Sequence, residues 1–271
     1  MTDRPSSRYL ADSAPGLHLL EWGEEGAPPV VLLHGAAQHA GVWEPVASHL
    51  PGFHLVAPDA RGHGRSDPAP DYDVASYVGD LDRVAHAIGR PVALVGHSTG
   101  ALVAMQFAAR FPARVWAAAF LDIDPRPRDS QRERLREAGS RPPRRFASFE
   151  EVVAGIERIT PGISPAIARR LAETGYEEVE PGAYQQRLDP RTLADYPQFD
   201  NWSILPAITC PVLVGRGEES TVSSQEAAEE AVRLLPRGRL EMLPGAHQLH
   251  LQHPKRLAAA LTAFLVAHRP G

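Results

Sequence analysis

Short apolar runs alternate with amphipathic stretches along most of this chain. The apolar runs are bounded by turn residues and predict strands at residues 17–22, 29–34, 53–58, 91–96, 115–123, 211–215 and 239–243. Apolar residues at helical spacing predict helices near residues 42–50, 74–89, 99–111, 224–235 and 254–268. Several strands are apolar on both faces, which is typical of a parallel sheet covered by helices on each side. The alternation therefore predicts an α/β fold with a mostly parallel central sheet flanked by helices.

One long segment interrupts this alternation. Between residues 125 and 206 no convincing strand pattern is present, while the stretches SFEEVVAGIERI and SPAIARRLAETG predict short helices separated by prolines. A segment of about 80 residues is longer than a connection between two strands needs. We therefore predict a helical lid, or cap, at residues 125–206 and a core formed by residues 1–124 and 207–271.

Composition limits the class of protein and its partners. The chain of 271 residues is 43% hydrophobic and 23% charged, which is ordinary for a soluble globular protein, and its net charge of −5 gives no reason to expect a nucleic-acid partner. The single cysteine, Cys210, excludes an internal disulfide and a cysteine-based zinc cluster. The first residues lack the apolar stretch of a signal peptide, and no run approaches the ~18 apolar residues of a membrane span. We expect a cytoplasmic monomer or homodimer that acts on a small molecule, with no membrane partner.

The pentapeptide GHSTG, residues 96–100, carries the strongest chemical signal. It stands between a predicted strand and a predicted helix, where glycines on both sides allow the sharp turn that exposes a nucleophilic serine, here Ser98. A bare GxSxG is weak, because roughly a tenth of chains this long would contain one by chance. With its strand and helix, the motif resembles the nucleophile turn of the α/β-hydrolase family. The resemblance implies the α/β-hydrolase fold, with the lid inserted between the family's strands 6 and 7.

Two further stretches agree with this resemblance. In VVLLHGAAQ, the pair His34-Gly35 stands where the family opens a loop that binds the oxyanion. The resemblance thus assigns the backbone N–H groups of Ala36 and Thr99 to the oxyanion hole, although His34-Gly35 read alone is only a turn. In MLPGAHQLHLQHP, His247 fits the place of the family's catalytic histidine, with alanine before it where glycine is usual. The resemblance implies that His247 removes the proton of the serine hydroxyl.

The carboxylate that should orient His247 is not where most of the family has it. That position, three residues after the glycine that follows the seventh strand, is Ser220, and a serine cannot compensate the charge of an imidazolium. Its neighbours Glu218 and Glu219 are candidates, because the longer glutamate side chain reaches from one position earlier. A variant of the family places the acid at the end of strand 6, about 24 residues after the nucleophile, where this chain has Asp122. We predict Asp122 as the acid, with Glu219 or Glu218 as the alternative and a site without a working acid as the third.

The chemistry of the strand end favours Asp122. Asp122 and Asp124 end an apolar strand at the same sheet edge as Ser98, where an unpaired carboxylate would be costly. Asp124 precedes Pro125 and should face the loop, whereas Asp122 lies nearer the strand. The chain order serine, acid, histidine is also the order of the family.

The predicted lid contains candidates for the substrate pocket. Residues 125–145 hold eight arginines against three acidic residues. Arg126 or Arg145 is a candidate to pair bidentately with a substrate carboxylate, and the alternative is a solvated helix, which charge runs usually form. Further pocket candidates are aromatic or lie next to the serine: Trp43, His97 and Trp202.

The resemblance implies a serine hydrolase that cleaves an ester, lactone or amide bond of a small molecule through an acyl-enzyme. Such a reaction requires neither a metal nor an organic cofactor. The same fold also carries C–C bond hydrolases, perhydrolases, hydroxynitrile lyases and cofactor-independent dioxygenases, which fold similarity alone does not separate. Haloalkane dehalogenases and epoxide hydrolases are disfavoured, since they usually carry aspartate at the position of Ser98. The alternative of another class is a ligand-binding receptor of hydrolase descent with little turnover.

Overall fold

An eight-stranded sheet forms the centre of the protein. The structure, a computed structural model, describes residues 4–270. Its strands are β1 (Ser6–Leu10), β2 (Leu17–Trp22), β3 (Pro29–Leu33), β4 (His54–Pro58), β5 (Val92–His97), β6 (Val115–Leu121), β7 (Arg145–Phe146), β8 (Tyr176–Glu180), β9 (Ala183–Gln186), β10 (Val212–Gly217) and β11 (Gly238–Leu243). The main sheet has the order β1-β2-β4-β3-β5-β6-β10-β11. β2 pairs antiparallel with both of its neighbours, and every other pair in this sheet is parallel.

Helices cover both faces of this sheet. The α-helices are α1 (Glu44–Ala47), α2 (Val74–Ile88), α3 (Thr99–Arg110), α4 (Asp129–Ser140), α5 (Phe149–Ile159), α6 (Pro165–Gly175), α7 (Arg191–Ala194), α8 (Gln225–Leu234), α9 (Leu249–Gln252) and α10 (Pro254–His268). Three short 3-10 helices lie at Ala40–Trp43, Pro112–Arg114 and Trp202–Ala207. Within residues 4–270, none of the helices is long and apolar enough to cross a membrane.

The apolar strands explain why the sheet is buried on both sides. In β3, Val30 and Leu32 pack into one hydrophobic cluster, while Val31 and Leu33 pack into the other. This alternation follows from the two-residue period of a strand. Burying each side chain of this size contributes about 1.5–3 kcal/mol relative to leaving it in water. The strand ends that carry the polar residues therefore lie between two hydrophobic layers.

Most predicted elements, and the α/β-hydrolase fold itself, are confirmed. The predicted helix at 42–50 is a 3-10 turn followed by the four residues of α1. The sequence analysis missed β1, because its residues SSRYL are mostly exposed and form no apolar run. β1 exists through its pairing with β2, which no local pattern reveals.

Residues 125–206, hereafter the insertion, leave the main sheet between β6 and β10. The insertion contains the two predicted helices as α5 and α6, and it also contains a three-stranded antiparallel sheet with the order β7-β9-β8. The prediction of a segment without strands is therefore wrong. These strands are short and largely polar, as in YEEVE and AYQQ, and pair only with one another, so they lack the apolar runs of buried strands.

Candidate active site

Ser98 lies at the turn between β5 and α3. Its φ of 52° and ψ of −121° are outside the regions that non-glycine residues favour, which costs about 1–3 kcal/mol. The flanking glycines permit this turn: a Cβ on Gly100 would overlap the carbonyl oxygen of Leu33, and one on Gly96 would stand 2.5 Å from Ala101 Cα. Strained residues of this kind concentrate at functional sites. The turn holds Ser98 on the wall of a cavity.

The loop after β3 lies directly against Ser98. A Cβ on Gly35 would stand 3.1 Å from Ser98 Cβ, so a larger residue there would push the loop away. Ala36 follows in this loop, and Thr99 is the first residue of α3, where a helix leaves its N–H groups without an intrahelical partner. Among residues 4–270, neither of these N–H groups donates to a backbone oxygen. Two backbone donors therefore remain available beside the serine.

Asp122 and His247 form a buried pair at the same edge of the sheet. His247 Nδ1 donates to Asp122 Oδ2 at 2.7 Å. Asp122 also accepts from Gly217 N at 2.8 Å and from Ser220 Oγ at 2.6 Å. Burial opposes ionisation of this carboxyl, but the hydrogen bonds from His247 and Ser220 outweigh it and lower the pKa of Asp122 below its usual value. Ser98 Oγ forms no hydrogen bond with His247 within the described residues, although both side chains line the same cavity.

The end of β10 and the loop after it donate hydrogen bonds to the Asp122 carboxylate. The guanidinium of Arg216 is buried and donates to the carbonyl oxygens of Ser223, Gly217 and Ser220 at 3.0, 2.9 and 3.0 Å. These three bonds fix the loop that places the Ser220 hydroxyl on Asp122. Ser220, at the position where the sequence analysis expected the family's acid, thus contacts the carboxylate that is paired with His247.

Three other carboxylates near this loop lie elsewhere. Glu218 and Glu219 are exposed to solvent. Asp124 accepts from Ser224 N at 2.9 Å, and burial raises the pKa of its carboxyl. The structure therefore brings Asp122 to His247 and leaves the two glutamates in water.

Gln38 connects the loops on either side of the serine, and the sequence analysis missed it. Its Oε1 accepts from Gly35 N at 2.9 Å, and its Nε2 donates to Gln248 Oε1 at 2.8 Å. Gln248 follows His247, so one side chain joins the loop after β3 to the loop that carries His247. The only indication in the sequence is a polar amide, that of Gln38, within the loop sequence HGAAQHAG. It does not show which residue the amide bonds to.

His97, which was predicted to lie in the pocket, does line the cavity. Its Nε2–H donates to the backbone oxygen of His247 at 2.8 Å. Burial, with His250 and His247 close by, lowers the pKa of His97 well below its usual value. His97 is therefore a neutral donor that holds the histidine loop.

The cavity that Ser98 and His247 line has a volume of about 330 Å³. The core contributes Ala36, Gln38 and Gln248 among others, and the insertion forms the opposite wall with Pro127, Gln131, Arg132, Arg134, Leu135 and Tyr196. This volume is at the lower end of the range for small-molecule sites. Within residues 4–270, no group of three or more His, Cys, Asp or Glu side chains is arranged to hold a metal ion.

A second, smaller cavity of about 50 Å³ lies on the other side of Ala36 and Thr99. Its lining is mostly apolar, and Tyr196 lines both cavities. The Tyr196 hydroxyl is hydrogen-bonded to Thr99 Oγ1 at 2.8 Å, which ties the insertion to the serine turn. The space fits a few non-hydrogen atoms, so it extends the site without replacing the larger cavity.

Four predicted pocket residues do not line the larger cavity, and these predictions are wrong. Trp43 is fully buried in the hydrophobic core. Trp202 packs against the second hydrophobic cluster. Arg126 is half exposed and pairs with Asp200 at 3.5 Å. Arg145 lies in β7 and pairs with Glu180 at 2.8 Å. The arginines that line the cavity are instead Arg132 and Arg134.

The fold and this edge of the sheet define the class of protein. The family model described as alpha/beta hydrolase family matches residues 30–260, and the chain belongs to this family. A 2-(acetamidomethylene)succinate hydrolase of Mesorhizobium japonicum is 30% identical over 252 residues, which cover 90% of each chain. Lipase LipV of Mycobacterium tuberculosis is 34% identical over 197 residues, which cover 72% of this chain and 69% of the lipase.

A solved structure gives the same assignment. The crystal structure of E-2-(acetamidomethylene)succinate hydrolase matches with a TM-score of 0.85 at 27% identity, covering 97% of this chain and 99% of that one. The relatives named here are hydrolases. A hydrolase is therefore the general class of activity that the similarity supports.

Proposed function

We propose that the protein is a serine hydrolase that cleaves an ester, lactone or amide bond of a small molecule through an acyl-enzyme. The observation that carries this proposal is the 2.7 Å bond from His247 Nδ1 to Asp122, in a site where Ser98 and His247 line one cavity. Because this bond keeps the proton of the neutral imidazole on Nδ1, Nε2 is left to act as a base. The buried carboxylate also stabilises the imidazolium that forms during the reaction.

The reaction then follows in two halves. Ser98 Oγ attacks the carbonyl carbon and gives its proton to His247 Nε2, while the N–H groups of Ala36 and Thr99 stabilise the oxyanion. The bond to the leaving oxygen or nitrogen breaks, and that atom takes the proton from His247. Water then attacks the acyl carbon and gives a proton to His247 Nε2. The bond from the acyl carbon to Ser98 Oγ breaks, His247 returns the proton to Ser98 Oγ, and the acid product leaves. The contact between serine and histidine tightens when substrate is bound.

The insertion acts in this proposal as a lid. Six of its residues line the cavity, and Tyr196 ties it to the serine turn. A lid that covers the site excludes water and strengthens the electrostatic interactions of the oxyanion. The relative from Mesorhizobium japonicum is named for an acetamido-substituted succinate, which is the reason to keep amides beside esters in the proposed range.

Covalent labelling tests the proposal. A fluorophosphonate should phosphonylate Ser98 with loss of fluoride, which intact-mass spectrometry detects as a single adduct. Ser98→Ala should abolish both the adduct and the turnover of an activated aryl ester. Ser130→Ala, at an exposed serine of α4, is the matched control and should label like the original protein. A protein without an adduct that binds ligands without turnover would instead be the receptor-like alternative.

A further inference from the structure

We propose that Arg132 and Arg134 bind a carboxylate of the substrate, so that the enzyme acts on small anionic esters or amides. This inference rests on the proposed function, because it assigns the end of the molecule that is not cleaved. Both arginines belong to α4 and line the same cavity as Ser98 and His247. A guanidinium offers paired N–H donors that match the two oxygens of a carboxylate.

The other arginines of residues 125–145 already have hydrogen-bond or ion-pair partners. Six of the eight are bonded elsewhere: Arg126 to Asp200, Arg128 to the carbonyl oxygens of Thr221 and Val222, Arg136 to Ala194 O, Arg141 to Glu137, Arg144 to Glu151 and Arg145 to Glu180. Arg132 has one long contact, from Nε to Tyr196 O at 3.4 Å. Within residues 4–270, Arg134 forms no ion pair, and neither arginine is paired with a carboxylate of the protein.

Arg134 shares one face of α4 with two other residues that line the cavity. Gln131, Arg134 and Leu135 are spaced i, i+3 and i+4, which places them on one face of a helix. All three line the cavity. Arg134 is exposed to solvent and also borders the cavity, so its guanidinium is free to meet a ligand there.

The charge of the cavity selects the sign of the ligand. No aspartate or glutamate is among its lining residues, while two arginines are, although the whole chain has a net charge of −5. An anionic group entering the cavity meets two guanidinium groups without a competing carboxylate. A cationic group would meet repulsion and find no acidic partner. The cavity volume of about 330 Å³ limits this anion to a small molecule.

A matched pair of esters tests the subsite. Phenyl hydrogen succinate and methyl phenyl succinate share the scissile phenyl ester and differ in one carboxylate. We expect the ratio of their kcat/KM values to favour the anion by about 10- to 100-fold, which is the range for hydrogen bonds to charged groups. Arg132→Gln and Arg134→Gln should each lower this ratio about tenfold. Arg136→Gln, on the same helix with its guanidinium on Ala194 O, is the control and should keep the ratio.

Two results would overturn the subsite. One is a ratio near one in the original protein, and the other is an unchanged ratio in the double variant Arg132→Gln/Arg134→Gln. These leave the proposed function intact, because both esters are still cleaved. If neither ester is cleaved and no fluorophosphonate adduct forms, the proposed function fails first. Calorimetric titration with monomethyl succinate then decides the subsite alone: binding that the double variant loses supports it, and absent or unchanged binding refutes it.

Discussion

Replacing Asp122 with asparagine should remove most of the activity while the protein still folds. Asp122 Oδ1 accepts from Gly217 N, and Oδ2 accepts from both His247 Nδ1 and Ser220 Oγ. The asparagine oxygen is held at the Oδ1 position by the backbone N–H, so its amide nitrogen faces the two donors. The Ser220 hydroxyl can turn and accept. His247 can accept only if its proton moves to Nε2.

The size of the effect follows from that change of tautomer. An Nε2 that carries a proton cannot remove the proton of Ser98. The same aspartate-to-asparagine change lowers kcat by about 10⁴-fold in the triad of a serine protease. This factor corresponds to about 5.5 kcal/mol of transition-state stabilisation. We expect a loss of this order.

Steady-state hydrolysis of an aryl ester measures the loss, and far-UV circular dichroism verifies the fold. Glu218→Gln and Glu219→Gln are the controls, and each should stay within about twofold of the original rate because both carboxylates are in solvent. The reasoning is refuted if Asp122→Asn keeps a tenth or more of the activity. It is refuted in favour of the alternative acid if a glutamate variant shows the large loss instead.

Three further measurements test other features of the structure. Gln38→Ala should lower kcat about tenfold with a smaller change in KM, because it separates the oxyanion loop from the histidine loop; an effect on KM alone would contradict this role. Gly100→Ala should lower the free energy of unfolding, measured by urea denaturation, by about 1–3 kcal/mol, because its Cβ would overlap a carbonyl of β3. Gly79→Ala, which has open space around it, should not lower the free energy of unfolding. Burial lowers the pKa of both His34 and His250 to about 3, from 6.5 in the unfolded chain. The unfolded state therefore binds protons more readily than the folded state, so the contribution of each neutral histidine to the free energy of unfolding is fully present above pH 6.5. The free energy of unfolding should fall by about 2 kcal/mol for each histidine between pH 7 and pH 5. Urea unfolding at the two pH values measures this fall. An equal free energy of unfolding at pH 7 and pH 5 would contradict this prediction.

The serine turn could be predicted because everything that forms it is local. An apolar strand, a glycine on each side of Ser98 and an amphipathic helix stand within about twenty consecutive residues. Asp122 could be proposed because the family resemblance offers an acid at the end of strand 6, and a carboxylate at the end of a buried strand is costly unless it is paired. Its contact with His247, 125 residues away, is possible because β6, β10 and β11 run parallel, so the loops after β6 and β11 lie at the same end of the sheet.

The walls of the cavity could not be predicted in the same way. Gln38 and Gln248 are 210 residues apart, and nothing in either segment identifies the other as its partner. Arg134 lines the cavity, whereas Arg126 and Arg145 pair with carboxylates elsewhere, and a run of arginines in the sequence does not distinguish these positions. Trp43 is an aromatic residue of a type that often lines pockets, but it is buried in the hydrophobic core. Such distinctions depend on tertiary packing, which overrides local pattern.

Ser220 marks a second position, after the strand next to that of Asp122, from which a carboxylate would reach His247. Its hydroxyl is 2.6 Å from the oxygen that holds His247, so an aspartate at position 220 would carry a carboxylate to almost the same point in space. A swap of Asp122→Ser with Ser220→Asp should therefore rebuild the triad from the other strand. The order of the two changes matters for an evolving lineage. A chain that gains the second acid first holds two carboxylates within hydrogen-bond distance, and one must keep its proton. In the proposed mechanism, a chain that gains the acid at position 220 first keeps one charged carboxylate near His247 at every step. A chain that first loses Asp122 passes through an inactive state.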